Sequence, residues 1–519
     1  MSEFIGQAEG ERIIRARHQK LTANFIRPAM SLVLAVCLQG CAVGPDFLRP
    51  KPPSVAGYTA SPLPAETASA KAAGGTAQRI VMGLDLPGQW WTLFRSPSLN
   101  SLVESALLKN PDLTAAHAAL RQANENSYAQ RGFYYPTIQA NLVPSRQRNA
   151  VGTLAPTLAS GDAVYNLYTA QVAVSYVPDV FGLNRRQVET LEALAEVQRF
   201  QVEAAYLSLT ANVVAAAIQE ALVRAQLQAT EDISKIQLEQ LKISQKRFEA
   251  GDVARSEVVA QEAQYAQTRA AVPLLRKQLA QQRTLLSALS GRFPSDEPDE
   301  KFDLASLSLP EELPVSLPSK LVEQRPDVRA AEAQLHAATA SIGVALANML
   351  PQTTLTAGKG GVATEFGQMF QSGNLFWSLG ANIAQTLFAG GTLIHRKRAA
   401  EAAFDQSAAQ YKSTVLTAFK NVSDTLTALE FDAETLEAQV NAEQATKKSL
   451  DYAIKSRSLG ATSYLDLLIA QQAYQQAVLN LAQARANRYQ DTAALFQALG
   501  GGWWNRSDIQ TGRADSPKR

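Results

Sequence analysis

Two long stretches of the chain contain neither glycine nor proline and carry apolar residues at helical spacing. Each stretch has 68 residues, and they lie between Gly182 and Gly251 and between Gly391 and Gly460. At about 1.5 Å per residue, a continuous helix of this size is about 100 Å long. Apolar steps of three and four predict coiled-coil seams within both stretches. The seam positions are Leu207, Ala211, Val214, Ile218, Val422, Leu426, Leu429 and Ala433.

The glycine that follows each long stretch predicts a sharp turn into a shorter return helix. These return helices are expected over 252–290 and 461–499. The long hairpin helices as a whole are therefore predicted over 184–290 and 392–499. Pro273 lies inside the first return helix, where it predicts a kink.

Between the helical stretches, the apolar period changes from about three and a half to two. Trp377, Leu379, Ala381 and Ile383 alternate with small or polar residues. Strands of about ten residues with one apolar face are the weak signature of a transmembrane β-barrel, while two ordinary surface hairpins are the alternative interpretation. The predicted strands lie at about 137–149, 167–180, 352–362 and 374–387.

Four strands cannot enclose a pore, and open sheet edges are not tolerated in lipid. A trimer would supply twelve strands, which is within the range of outer-membrane barrels. The predicted fold class is therefore an α+β membrane protein. In it, a trimeric 12-stranded β-barrel, with four strands per chain, is continued by a long α-helical coiled-coil tunnel.

The landmarks of the first half of the chain recur in the second half at nearly constant distances. The glycines at 182, 251 and 291 recur 209 positions later, at 391, 460 and 500. A Pro-Asp motif recurs 215 positions later, as Asn110-Pro111-Asp112-Leu113 and Arg325-Pro326-Asp327-Val328. Such self-similarity predicts an internal duplication with the same architecture in each half.

The duplication sets the predicted domain boundaries. The first repeat is expected over 91–300 and the second over 301–504. Each begins with one helix, at 98–133 and at 319–349. A polar C-terminal tail, 505–519, follows the second repeat.

The N-terminus has the pattern of a bacterial lipoprotein signal. Basic residues precede a short apolar stretch that ends in Leu38-Gln39-Gly40-Cys41. This order predicts a signal peptide over 1–40 and a covalent lipid on Cys41, which becomes the mature N-terminus. Ala42, which is not Asp, favours sorting to the outer membrane. Residues 41–90 are rich in proline and are expected to form a lipidated, extended tether.

Composition and charge exclude several other classes of protein. The net charge is +2, with 49 Lys and Arg against 47 Asp and Glu, so the basic bias of a nucleic-acid binder is missing. The two cysteines cannot form a disulfide framework, and the four histidines are scattered without metal-ligand spacing. No catalytic constellation, phosphate loop or run of eighteen apolar residues is found. We therefore expect no enzyme activity, no metal and no cofactor apart from the lipid.

The chain resembles the TolC-like outer-membrane efflux proteins, in the lipoprotein branch that serves RND-type multidrug pumps. The resemblance runs from Cys41 to about Trp504. It implies a homotrimer with a twelve-stranded barrel in outer-membrane lipid and a twelve-helix periplasmic tunnel. It also implies a periplasmic adaptor protein and an inner-membrane RND-type transporter as partners in exporting small molecules. The motifs are Cys41-Ala42-Val43-Gly44-Pro45-Asp46-Phe47, Trp90-Trp91, Asn110-Pro111-Asp112-Leu113, Arg325-Pro326-Asp327, Leu387-Phe388-Ala389-Gly390-Gly391 and Ala498-Leu499-Gly500-Gly501-Gly502-Trp503.

The same resemblance assigns roles to the two helix turns, which form the closed end of the tunnel in the family. Leu465 and Asp466 match constriction positions and are the expected periplasmic gate. Many relatives carry an acidic residue at the position of Ile469, and some carry an Arg at that of Gln472. Because both are absent here, we expect closure to depend more on apolar contact than on salt bridges. Turn and adaptor-docking residues are expected to be Gly251, Arg255, Glu257, Arg457 and Gly460. The alternative is that the two glycines are only helix C-caps and Asp466 only a solvated helix charge.

Three functions remain open from the sequence. The first is a passive outer-membrane conduit for drug or small-molecule efflux, which the lipoprotein motif favours. The second is an outer-membrane conduit for type I secretion of proteins. The third is a coiled-coil structural lipoprotein without a pore.

Overall fold

The computed structural model describes residues 42–55, 57–148 and 164–506. The predicted signal peptide, Cys41 and most of the polar C-terminal tail lie outside these residues. The strands in the described part are β1 (Arg79–Met82), β2 (Thr137–Arg148), β3 (Val164–Tyr176), β4 (Glu312–Val315), β5 (Gln352–Ala363) and β6 (Leu375–Ala384). The α-helices there are α1 (Pro97–Lys109), α2 (Pro111–Arg131), α3 (Leu183–Glu249), α4 (Arg255–Leu289), α5 (Pro318–Gln324), α6 (Pro326–Ala347), α7 (Thr392–Ser458) and α8 (Tyr464–Ala498).

The chain divides into two compact units. The first comprises the described parts of Met1–Leu48, Gln122–Ala195 and Ala333–Ala408. The second comprises the described parts of Arg49–Arg121, Glu196–Glu332 and Ala409–Arg519. The long helices α3 and α7 contribute residues to both.

The first unit contains a four-stranded antiparallel sheet with the order β2-β3-β5-β6. Its strand ends differ from the predicted ones by at most four residues. The register places Ile138, Val174, Ala357 and Leu379 in one row across all four strands. Because side chains alternate along a strand, this row and those two residues away share one face. The face is apolar around this row, but it also carries charged residues: Lys359, paired with Trp377, and Arg146 and Arg148 toward the end of β2.

The apolar face of this sheet is open to its surroundings. Ile138 is 68% exposed, Trp377 73%, Leu379 75% and Ile383 70%. The strands β2 and β6 form the two edges, and each has one described neighbour only. An exposed apolar face together with two free edges is unusual for a chain that is complete by itself.

The first helix of each half of the chain is broken, which corrects the prediction of single helices over 98–133 and 319–349. The break follows Asn110 in the first half and Arg325 in the second, where the backbone is extended, with φ/ψ of −67°/124° and −79°/123°. Pro111 and Pro326 come next, and the ring of a proline disfavours the helical conformation of the residue before it. Each proline then starts a new helix, where its missing N–H costs nothing.

The long helices have equal lengths in the two halves. Both α3 and α7 have 67 residues, and both α4 and α8 have 35. An 18-residue window of α3 has a mean hydropathy of 1.3, enough by length and composition to cross a membrane, but 72% of it is buried inside the protein. The predicted seam positions Val214, Ile218, Leu426 and Leu429 are fully buried. The apolar window of α3 therefore belongs to a protein core.

The core of the second unit is built around an aromatic cluster. Trp90, Trp91 and Phe94 lie on a short 3-10 helix and are fully buried. Phe496 packs against Trp90 with ring centroids 5.8 Å apart, and Tyr489 packs against Phe94 at 6.4 Å. These contacts tie the segment before α1 to helix α8, which the proline-rich composition does not indicate.

The segment predicted as an extended tether contains a strand. Within 41–90, β1 pairs in parallel with β4. Arg488 on α8 is fully buried and holds this segment, donating to the carbonyl oxygen of Gly74 at 3.0 Å and to Oε1 of Gln78 at 3.0 Å. Burial lowers the pKa of Arg488. Composition alone predicts an extended chain here, but it cannot show a buried arginine 410 residues away.

Candidate functional site

The two turns of the long helical hairpins have the same backbone design. Gly251 and Gly460 have φ of 79° and 73°, which is the left-handed region that a helix C-cap requires. The N–H of Asp252 donates to the carbonyl of Arg247 at 2.8 Å, and that of Ala461 to Ser456 at 3.0 Å. Glycine is needed for the conformation and not for space, because a Cβ at either glycine would meet nothing within 4 Å.

The return helices begin differently after these turns. Ser463 caps α8, with its hydroxyl oxygen accepting from the N–H of Asp466 at 3.2 Å. Asp466 completes a capping box by accepting from the Ser463 hydroxyl at 2.6 Å and from its N–H at 3.2 Å. Helix α4 has Ala254 at the equivalent position, 209 residues earlier, and no side-chain cap. The carboxylate of Asp466 is therefore engaged with its own helix start.

The missing cap on α4 leaves Glu257 available for another partner. Glu257 lies 209 residues before Asp466, at the equivalent place in the first hairpin, and both oxygens of its carboxylate accept from Nη2 of Arg457. Arg457 itself occupies the place that Phe248 has in the first hairpin, 209 residues earlier. This ion pair joins the end of α7 to the start of α4, and both side chains are largely buried, at 21% and 14% exposed. It links the two hairpins within one chain.

Polar contacts between the return helices continue away from the turns. The hydroxyl of Tyr464 donates to Oε1 of Gln261 at 2.5 Å, and Nε2 of Gln472 donates to Oε1 of Gln264 at 2.9 Å. Burial, followed by the charge of Glu257, raises the pKa of Tyr464 to about 12. The tyrosine is therefore a neutral donor at physiological pH. The contact of Gln472 with Gln264 is likewise neutral.

An apolar stripe stands out on the start of α8. Leu465 is 62% exposed and Ile469 56%, and residues four apart lie on the same face of a helix. Leu459, in the turn, is 76% exposed. Arg255, the first residue of α4, is also exposed. The structure thus places the predicted gate and turn residues at one end of the hairpins, with the leucine unburied and the aspartate in a cap.

No cluster of metal-ligating side chains lies beside these residues. Throughout residues 42–55, 57–148 and 164–506, no three His, Cys, Asp or Glu side chains are grouped to hold a metal ion. What the hairpin ends offer is an ion pair, amide contacts and an apolar stripe. These contacts can hold the ends of the two helical hairpins together, and the ends can separate when the contacts break. The arrangement therefore suits a mechanical function.

Comparison with known proteins decides the family. Residues 102–292 and 317–501 match the family model described as outer membrane efflux protein. The chain belongs to this family. A probable efflux pump outer membrane protein of Pseudomonas putida, SepC, is 30% identical over 491 residues, which cover 92% of this chain and 97% of that protein. The pyoverdine export outer membrane protein OpmQ of Pseudomonas aeruginosa is 32% identical, covering 81% and 88%.

Solved structures agree with this assignment. The outer-membrane channel OprN has a TM-score of 0.78 and 27% identity, covering 89% of this chain and all of that one. The open state of the MtrE outer membrane channel of Neisseria gonorrhoeae has a TM-score of 0.75 and 26% identity, covering 90% and 100%. This efflux protein is therefore an outer-membrane channel of efflux pumps, in the bacterial outer membrane with a periplasmic part. The predictions of family, function and location are confirmed.

Sequence analysis of this efflux protein missed the pairing of Arg457 with Glu257. Two hundred residues separate them, so no local motif joins them. A comparison of the two hairpins at an offset of 209 residues does give a signal, because Ala254 corresponds to the capping residue Ser463 and Phe248 corresponds to Arg457. The two changes are complementary. Glu257 has no serine to cap with, and Arg457, in place of an aromatic residue, supplies the cation that pairs with it.

A second titratable group lies on α8 of the efflux protein, beyond the hairpin ends. Burial, then a hydrogen bond with Asp432 and its charge, raises the pKa of Asp491 to about 7. An unfolded aspartate titrates near pKa 3.9. The folded chain thus binds the proton more tightly, and the stability that this proton contributes is lost as pH rises from about 4 to 7.

We expect Asp491→Asn to raise the melting temperature of the efflux protein clearly at pH 8 and by much less at pH 5, where most of the proton's contribution is still present. The amide cannot ionise beside Asp432, so the cost of two close carboxylates disappears. The expected gain in the free energy of unfolding at pH 8 is only about 1 kcal/mol, because solvent screens the charge of a partly exposed carboxylate. Calorimetry at both pH values measures the effect, with exposed Asp405→Asn as the matched control. An equal gain at pH 5 and pH 8 would contradict it.

Proposed function

We propose that three copies of this chain form one channel through the outer membrane. The observation that carries the proposal is the open four-stranded sheet, with an exposed apolar face and two edge strands that have only one described neighbour each. Unpaired backbone groups are too costly in hydrocarbon, so the edges must meet other strands. Three copies supply twelve strands, a number within the range of closed outer-membrane barrels. The small and polar face of the sheet then lines the passage.

The internal duplication is part of this proposal. Equal helix lengths in the two halves support it, as do the equivalent glycine turns. The repeats would extend over 91–300 and 301–504, followed by the polar tail. Each chain then brings two long helical hairpins, and three chains bring twelve helices to a periplasmic coiled-coil tunnel.

The proposed cargo is small molecules, passed outward through a tripartite pump. The names of the relatives support this, since they include toluene and antibiotic efflux proteins of Pseudomonas putida. The other components would be a periplasmic adaptor and an inner-membrane transporter of the RND type. Deleting the gene in its host should raise accumulation of a small apolar fluorescent dye, and the wild-type gene should restore efflux. Normal dye efflux with retention of an exported protein would favour type I secretion instead.

The hairpin ends are the proposed periplasmic gate. Leu465 of three copies would narrow and dry the passage, because apolar constrictions close by dewetting. Asp466 would favour cations there, although its carboxylate also caps α8. The turns around Gly251, Arg255, Glu257, Arg457 and Gly460 would dock the adaptor. The exposed apolar stripe of Leu465 and Ile469 supports this role.

A lipid on Cys41 is proposed to anchor the mature N-terminus. The residues that follow are held at the end of β3, which supports an anchor there. The N–H of Val43 donates to the carbonyl of Phe181 at 3.1 Å, and Arg186 donates to Oδ1 of Asp46 at 2.8 Å. A Cβ at Gly182 would collide with Ala42, at 2.6 Å. The chain thus enters the fold at a fixed point immediately after Cys41.

Cys41→Ser should abolish acylation and lower membrane retention, while leaving the channel able to assemble. One acyl chain gives only marginal anchoring, whereas a barrel is held by its whole apolar belt. Metabolic palmitate labelling and intact mass measure the lipid. Labelling that persists in the Cys41→Ser variant, or an unmodified wild-type N-terminus, would contradict the assignment.

A further inference from the structure

The loop after β6 exposes two neighbouring apolar side chains at one end of the sheet. Leu387 is 93% exposed and Phe388 89%, the highest values among the large apolar residues that the structure describes. Large apolar side chains that project together into solvent indicate an interaction surface more often than isolated ones do.

The backbone on either side of this pair is fixed. Before it, Nε2 of Gln385 donates to the carbonyl of Met349 at 2.9 Å. After it, the hydroxyl of Thr392 donates to the carbonyl of Ala389 at 2.8 Å, in a turn made by two glycines with positive φ. The chain therefore presents Leu387 and Phe388 from a defined position instead of leaving them on a free loop.

A cavity of about 530 Å³ lies at the same end of the sheet. It is formed where β2 begins, β3 ends and β5 begins, and its apolar lining includes Phe133, Tyr135 and Val177. Phe133 is 65% exposed and Tyr135 73%. These two aromatic side chains are thus largely uncovered within one copy, and polar residues such as Gln130 and Asn184 complete the lining.

One polar atom of this cavity has no partner. Asn184 is 9% exposed, and its Oδ1 accepts from Nε2 of Gln130 at 2.7 Å. Its Nδ2 is buried without an acceptor among the described residues. A buried donor normally finds an acceptor, and leaving it unpaired destabilises the fold. A peptide segment, with its backbone carbonyls, could supply the acceptor, whereas a hydrocarbon chain could not.

The strand order brings the exposed pair of one copy to the cavity of the next. Pairing of Thr137 with Ser175 and of Gln352 with Ala384 places the start of β2 and the end of β6 at the same end of the sheet. In a closed barrel of several copies, β6 of one copy runs antiparallel beside β2 of the next. Four residues after Ala384 span up to about 14 Å, so Phe388 can reach the start of that β2.

We propose that Leu387 and Phe388 of one copy fill the cavity beside Tyr135 in the adjacent copy, with a backbone carbonyl of their loop accepting from Asn184. This inference rests on the proposed trimer and adds the contact that seals the barrel seam at its helical end. The partner is a second copy of this chain. Each cavity is incomplete until the neighbouring copy supplies its two side chains.

The experiment is a disulfide cross-link in the full-length protein in its native membrane. Phe388→Cys combined with Phe133→Cys should give linked dimers and trimers on a non-reducing gel after mild oxidation, and reduction should remove them. Phe370→Cys with Phe133→Cys is the matched control and should give none. Phe370 is 68% exposed but lies between β5 and β6, at the opposite end of the sheet. If Phe388→Cys is not assembled, Leu387→Cys serves in its place.

The mass of the unlinked protein in mild detergent separates the possible failures. A trimer without the cross-link would overturn this inference and leave the channel proposal standing, whereas a monomer would overturn both. Phe388→Ala should also lower the temperature at which the trimer dissociates, relative to Phe370→Ala. A lipid or the acyl chain of the protein found bound in the cavity, with no cross-link, would identify a different occupant and contradict the proposal.

Discussion

Leu379→Lys is expected to prevent most of the protein from assembling in the outer membrane, whereas Ser378→Lys should have little effect. Leu379 is 75% exposed on the apolar face of the sheet, and Ser378, its neighbour in sequence, lies on the other face. A lysine facing lipid costs about 2–4 kcal/mol near the midplane of the bilayer. In a trimer this cost is incurred three times, while a lysine facing a water-filled passage keeps its hydration.

Heat-modifiable mobility on gels measures this difference, because a stable barrel runs as a compact trimer until it is boiled. Val174→Lys provides a second test, since Val174 occupies the same row of the sheet as Leu379. Ser175→Lys is its matched control on the opposite face. Equal sensitivity of both faces would contradict the barrel and favour an ordinary surface hairpin.

The position of Lys359 limits how far this apolar face extends. Lys359 pairs with Trp377, two residues from the row of Leu379. A long lysine side chain can carry its charge toward a membrane surface while its stem stays apolar, and tryptophan is common at the same level. We infer that this row lies near one membrane boundary and that Leu379 lies deeper.

The strands could be predicted because their signal is local. A period of two is visible within ten residues, and a slip by one residue would turn the whole apolar set to the wrong face. The pattern around Leu379 therefore gave both the strand and its apolar face. What the pattern could not give is the register between strands, which depends on pairs such as Val172 with Lys359.

The elements that escaped prediction depend on distant or single-residue effects. The breaks before Pro111 and Pro326 were missed because apolar spacing continues across them, although each proline is a local signal. Strand β1 was missed because four residues in a proline-rich segment carry too little periodicity, and its partner β4 is over 200 residues away. The buried Arg488 likewise acts on a segment that only the fold brings near.

The candidate site was predicted in position but not in chemistry. The glycines at 251 and 460 located both turns, since a helix followed by a left-handed glycine is a sequence-level signal. The resemblance to efflux proteins pointed to Leu465 and Asp466, but it did not reveal the capping box of Asp466 or the pairing of Glu257. Both depend on whether serine or alanine precedes the helix.

Arg457→Ala is expected to increase the conductance of single channels in planar bilayers several-fold. The variant removes the ion pair that joins the two hairpins of each chain, and it leaves the largely buried Glu257 without its cation. Breaking a buried pair in this way costs about 3–5 kcal/mol, much more than an exposed pair is worth. Helix ends that are no longer joined should move apart more readily. Arg255→Ala, which removes an exposed arginine from the same region, is the matched control.

Leu465→Ala should raise conductance by a different route, because it would widen the proposed apolar constriction while keeping the ion pair. The effect of Leu465→Ala on conductance should therefore add to that of Arg457→Ala. Glu257→Ala should add little to Arg457→Ala, since both variants remove the same ion pair.

Asp466→Ala should weaken the preference of the channel for cations. It should also destabilise the start of α8 by about 1 kcal/mol, because the capping box is lost. If all these variants conduct like the wild type, the passage is narrowed at another level of the tunnel, and the hairpin ends serve only to hold the helices.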